Sequence, residues 1–198
     1  MTQNRLAIGT VALAAALGIA VAIAIGARAQ MAPSWGPKWT RDGTLILPRD
    51  FRRWTFLGSP LTPNGLNGGE AGFPEYHNVY VQPEAFDAYR RTGEWPEGTI
   101  MLKELQRVRQ GAYPDGSGDE PSGRGFFPGA LNGIDISVKD SARFKESNGW
   151  GFFTFGHHAL PYPETAALQP VDACAGCHIA NATDMVFMKF YKPILDAK

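Results

Sequence analysis

Cysteine is nearly missing from this chain, with two in 198 residues. An excess of charge of either sign is missing too: 19 lysines and arginines face 19 aspartates and glutamates. No basic block occurs, which excludes the electrostatic footprint that nucleic acid requires, and none is expected as a partner. Regular alternation of strand and helix patterns is also lacking, which argues against a parallel α/β sheet. The length suits one domain behind whatever leader the chain carries.

The only long apolar run lies at the start. Leu6 to Ile25 is apolar or small throughout, with Arg5 before it and Ala27-Arg28-Ala29 after it. A positive start, an apolar stretch and an A-x-A end describe a secretory signal peptide over residues 1–29, and so a periplasmic protein. An uncleaved anchor is the rival, because roughly 20 apolar residues span a bilayer. The Ala- and Gly-rich, weakly hydrophobic run favours cleavage. Losing Arg5 and Arg28 with the leader takes the 19 basic residues to 17, against 19 acidic ones. Residues 30–42, with "APSWGPKWTR", read as an extended surface segment ahead of a domain over 43–198.

The two cysteines stand together in Cys174-Ala175-Gly176-Cys177-His178. Such a pair also occurs in thioredoxin-like redox disulfides, but those sit near a βαβ pattern, and none precedes this one. The adjoining His178 and the export signal point to c-type haem attachment. One helical turn presents both thiols to the haem vinyl groups, and His178 then lies beneath the iron as axial ligand.

Upstream, the pattern is strand-rich. "EYHNVYV" alternates, with Tyr76, Asn78 and Tyr80 on one face and His77, Val79 and Val81 on the other. Pro83 starts a helix that Gly93 ends, with Phe86 and Tyr89 facing inward. "TIMLKELQRV", "GIDISVKD" and "GWGFFTFG" read as further strands, and a short strand precedes Pro60. "LTPNGLNGGEAGFP" and "AYPDGSGDEPSGRG" read as loops, and "DMVFMKFYKPILDA" as a terminal amphipathic helix. About five strands and two or three helices predict an α+β fold with a mainly antiparallel five-stranded sheet and a C-terminal haem motif. Small electron-transfer cytochromes carry the motif near the N-terminus, and four-helix cytochromes c′ lack strands.

The chain resembles the cytochrome P-460 family along nearly all of its mature length. The stretches that carry the resemblance are "LILPRDFRRWTFLGSPLTPNGLN", "EYHNVYVQPEAFDAYRRTGEWPEGTIMLKEL", "GIDISVKDSARF", "NGWGFFTF", "CAGCH" and "TDMVFMKFYKPIL", in this order and spacing. The resemblance implies a homodimer of mainly β subunits. It implies a third covalent haem link, from a lysine nitrogen to the macrocycle, at Lys103 by position in "GTIMLKEL". Lys103 alternates with Met101 and Leu105, and an apolar strand face favours the neutral amine that such a link needs. Read without the resemblance, Lys103 is a solvated charge near a strand end.

Family members with the link oxidise hydroxylamine to nitrogen oxides such as nitrous oxide, and pass electrons to an external acceptor, here a small soluble cytochrome. The related β-type cytochromes c′ lack it, have an apolar distal pocket and bind or scavenge nitric oxide. The resemblance places Asp135 where a catalytic glutamate is expected, as the base that removes protons from hydroxylamine. Aspartate is one methylene shorter. His77 falls where some members place arginine, and would hold a water or carry a second proton. Read unaided, Asp135 is a solvated carboxylate and His77 a hydrogen-bonded structural histidine. His157 and His158 fall at a solvated turn, where an iron ligand is the lesser reading. Phe73, Phe126 and Phe127 are either pocket walls or aromatic core. A simple electron carrier would need a second axial ligand, and no convincing one stands out.

Overall fold

A computed structural model describes residues 33–197. The leader expected over residues 1–29 lies outside them. No helix among the described residues is long and apolar enough to cross a membrane.

Five strands form the main sheet: β2 (Thr55–Gly58), β3 (Glu75–Val81), β4 (Ile100–Arg109), β7 (Phe127–Lys139) and β8 (Trp150–Thr154). Their order is β2-β3-β4-β7-β8, and every pairing is antiparallel. The α+β fold expected from the sequence is the fold observed. Two small sheets accompany it, from β1 (Leu45–Ile46) with β9 (Thr165–Ala166), and β5 (Gly118–Glu120) with β6 (Gly123–Gly125).

Alternation along the strands gives the main sheet two buried faces. One packs Leu102, Ile134, Ile136, Val138 and Phe153 against Leu45, Leu47, Phe51 and Tyr162. The other packs Val79, Val81, Met101, Trp150 and Phe152 against helix α1 (Pro83–Thr92) and the C-terminal segment, through Tyr89, Met185 and Ile194. Pro83 opens α1, because its missing N–H is one that a first turn leaves unpaired anyway. Gly93 closes it in the left-handed conformation, φ 77°, which a residue without Cβ adopts at no cost. Tyr89 is buried as expected, and Phe86 is partly so.

Two expectations fail. No terminal amphipathic helix forms. Asp184 and Met185 adopt positive φ, 45° and 61°, and Thr183 bridges Val186, so the chain turns where a helix was expected. Only a 3-10 turn at Met188–Phe190 and the short helix α3 (Lys192–Leu195), which starts around Pro193, follow. The loop around "GDEPSGRG" is instead the β5–β6 hairpin, turning at Pro121-Ser122. Residues 33–42 run along the surface with no fully buried side chain. Trp39 bridges Leu45 and packs at 5.6 Å from the Phe153 ring.

Candidate functional site

The Cys174–His178 segment opens helix α2 (Ala175–Asn181), so Cys174, Cys177 and His178 fall within little more than one turn. Both thiols are free, Cys174 half-buried and Cys177 exposed. Burial, then the nearby Asp135 charge, pushes the Cys174 thiol up, while Lys103 opposes. The His178 ring sits between Phe152 and Phe187, with centroids at 4.6 and 4.7 Å. Burial lowers its pKa, against the pull of a hydrogen bond to Met185, so the ring is neutral near pH 7.

That hydrogen bond decides the tautomer. His178 Nδ1 lies 2.7 Å from the Met185 carbonyl oxygen. A carbonyl only accepts, so Nδ1 carries the proton and Nε2 keeps its lone pair. A metal-binding imidazole is oriented in this way. The left-handed turn at Asp184 and Met185 is what aims the carbonyl at the ring. Asp184 anchors the turn, with Trp150 Nε1 and Lys139 Nζ each 3.5 Å from its carboxylate.

The sheet supplies a polar group on the same face as Phe152. Val79, Lys103, Asp135 and Thr154 are paired in one row across β3, β4, β7 and β8. His77 lies one pair further, opposite Leu105. Lys103 Nζ sits 3.0 Å from Asp135 Oδ2 and 4.5 Å from the Phe73 ring centroid. The strand face of Lys103 is therefore not simply apolar, as its neighbours along β4 suggested. Its cross-strand neighbour is a carboxylate.

His77 packs against the Phe73 ring edge-on, with centroids at 5.5 Å. Burial, reinforced by the Lys103 charge, lowers its pKa to about 4, so it is neutral near pH 7. Its Nε2 is buried without a hydrogen-bond partner among the described residues. Leaving such a group unpaired costs about 1–3 kcal/mol. A purely structural histidine would have both ring nitrogens satisfied, whereas here a hydrogen bond to the Phe73 backbone leaves Nε2 alone. A polar partner is wanted there.

Asp135 is not a solvated carboxylate either, for only a quarter of its side chain is exposed. Burial alone would raise its pKa. The His157 hydrogen bond and the Lys103 charge outweigh burial and hold it at about 2. His157 Nε2 lies 3.0 and 3.2 Å from the two carboxylate oxygens. The sequence places His157 at a solvated turn and carries no local sign of this contact. The two residues meet because β7 pairs with β8 in a register that sets Asp135 opposite Thr154. Gly133 then makes room: a Cβ there would lie 2.4 Å from the Gly156 carbonyl oxygen and 3.2 Å from the His157 ring.

His158 is turned away, with Nδ1 2.7 Å from the carbonyl oxygen of Ala159. Phe73 belongs to the site, whereas Phe127 lies under Arg109 and Phe126 offers its carbonyl to Tyr76. Among the described residues, no cluster of three or more His, Cys, Asp or Glu is arranged to hold a metal ion. A single neutral imidazole with a free Nε2, next in sequence to two free thiols, suits iron that arrives inside a macrocycle.

A profile of the family described as cytochrome P-460 matches residues 48–188. No curated protein matches the chain at a significant level. The matched span runs from Pro48 to Met188 and takes in His77, Lys103, Asp135, Cys174, Cys177 and His178. It implies a haem cofactor, to which the residues just described are suited. The chain belongs to the cytochrome P-460 family.

Proposed function

We propose that this protein is an exported mono-haem c-type cytochrome that oxidises hydroxylamine to nitrogen oxides such as nitrous oxide, and that it also takes nitric oxide as a substrate. One observation carries the reading most. An ionised, largely buried carboxylate, Asp135, shares a sheet face with Lys103, a neutral His77 and the Phe152 wall of His178. A pocket that only binds a diatomic gas has no use for a buried base.

Cys174 and Cys177 would hold the haem through their thiols, and His178 Nε2 would bind its iron. Bound there, the haem supplies an iron that coordinates nitrogen and takes up electrons. Lys103, on the same sheet face, would supply the nitrogen of the third link. Asp135 accepts protons from hydroxylamine, whose oxidation releases protons and electrons in equal number. His77, uncharged above about pH 4, offers its unpaired Nε2 to the substrate or to a water beside it. Phe73 walls the polar group off from solvent. The electrons leave to a soluble cytochrome, the protein works in the periplasm, and its subunits pair as homodimers.

The test is turnover of hydroxylamine by the purified haem-loaded protein with a soluble cytochrome as acceptor. Asp135→Ala should lower the rate by about 10²–10⁴-fold, the worth of a positioned base, with haem attachment unchanged. Equal rates for the variant and the parent would remove Asp135 from the reaction. Nitric oxide binding without any hydroxylamine turnover in the parent would instead favour a scavenging protein like the β-type cytochromes c′.

A further inference from the structure

We propose that His157 is the permanent counter-charge and proton outlet of Asp135, a positioning residue that acts on the reaction only through that carboxylate. This rests on the reading of Asp135 as the base.

The geometry shows two cations on one carboxylate. Lys103 Nζ approaches Oδ2 from β4, and His157 Nε2 spans Oδ1 and Oδ2 from the turn after β8. An ionised carboxylate has no proton to give, so Nε2 is the donor and the imidazole carries its proton toward Asp135. The other charged or titratable groups facing this pair are few. They are Glu75 and His77 from β3 and Cys174 from the haem motif. His77 is neutral, and Glu75 is engaged by Asn132, whose Nδ2 donates to it over 2.7 Å.

Lys103 cannot serve as both cross-link and counter-ion. Once its nitrogen is bonded to the macrocycle, the ammonium charge that faced Asp135 is gone. Among the described residues His157 is then the cation left within hydrogen-bond distance of that carboxylate. A half-buried carboxylate without a cation drifts upward in pKa and fills with a proton, and a filled base accepts nothing. His157 prevents this.

Exposure supplies the second role. The Asp135 side chain is 25% exposed and that of His157 47%. The imidazole therefore reaches from the carboxylate to water. When Asp135 takes a proton from the substrate, the pair carries one extra positive charge. The imidazolium, having lost its anion, releases its Nε2 proton to solvent, and the proton on Asp135 then crosses to the emptied Nε2. One proton enters at Asp135, one leaves at His157, and the ionised pair is restored.

The inference is tested on the haem-loaded protein with His157→Gln, His157→Lys and Asp135→Asn. Glutamine keeps a donor but no charge. The acidic limb of the hydroxylamine rate profile should rise by about one pH unit or more in His157→Gln, and return toward the parent in His157→Lys. A merely structural role would lower the rate at every pH and leave the limb in place. A second readout needs no turnover. The His157 ring, followed by NMR in histidine-labelled protein, should titrate above 6.5 and fall to 6.5 or below in Asp135→Asn. An unmoved limb in His157→Gln, or a His157 titration indifferent to Asp135, overturns the proposal. If the parent does not oxidise hydroxylamine, the functional reading fails on its own, and the ring titration still decides whether His157 is the counter-charge.

Discussion

The two faces of β4 each carry one buried ionic partnership, and the difference between them separates structure from site. On one face Glu104, 4% exposed, is held by Arg52 among Leu102, Ile134, Ile136 and Tyr80. On the other, Asp135 is held by Lys103 in a group that includes His77, His157 and Phe73. Both are ion pairs, the first from the 3-10 turn at Phe51–Arg53 onto β4 and the second between β4 and β7. Only the second is flanked by imidazoles, sits beside the haem motif and leaves a polar atom unpaired. The first face is sealed by aliphatic and aromatic packing. The second is left partly open to what it must bind.

The faces should therefore fail differently. Leu102→Ala, at a fully buried position of the sealed face, should cost about 2–5 kcal/mol of stability in denaturant unfolding, with hydroxylamine turnover of the folded fraction retained. Asp135→Ala should show the reverse, a lost rate with little lost stability. A substantial drop in stability from Asp135→Ala would mean that the open face is structural too.

Gly133→Ala should be milder and should strike the seat of His157. The new methyl meets the Gly156 carbonyl at 2.4 Å, and the backbone φ of 152° suits glycine. A cost of about 1–3 kcal/mol is expected, together with loss of the raised His157 titration. If that titration survives intact, Gly133 is not what makes room for the ring.

The smallest effect is a pH window. The Asp135 share of the ion pair is complete above about pH 3.9 and disappears as pH falls through about 2. The His157 share is complete below about 6.5 and disappears as pH rises through its raised pKa, which the Asp135 hydrogen bond chiefly sets. The stability lost in His157→Gln should thus be greatest between about pH 4 and 6.5 and shrink on both sides. Because the imidazole is half exposed, it should not exceed about 1 kcal/mol. A loss that is flat with pH would count against an ion pair.

Much of this was legible before the fold was seen, and the exceptions share a cause. Strict alternation in "EYHNVYV" places His77 with Val79 and Val81, and the face so defined is the one that holds Lys103. Pro83 and Gly93 bound α1 to the residue. Cys174, Cys177 and His178 stand together in the sequence, and the structure sets them within little more than one turn. His157 was not legible, because its meeting with Asp135 depends on the β7–β8 register and on the space at Gly133, neither of which is a local pattern. The final segment misled for a related reason. Its apolar spacing is helical, but the Met185 carbonyl serves His178, and the positive φ at Asp184 and Met185 ends any helix there. In both places a long-range contact overrides the local signal.

The central claim is that the open face meets the haem through Lys103. Proteolysis of the purified haem-loaded protein followed by mass spectrometry tests it directly. The account predicts one haem-bearing species that joins the peptide containing Cys174 and Cys177 to the peptide containing Lys103. A haem held by the cysteine peptide alone, with the Lys103 peptide running free at its unmodified mass, contradicts it.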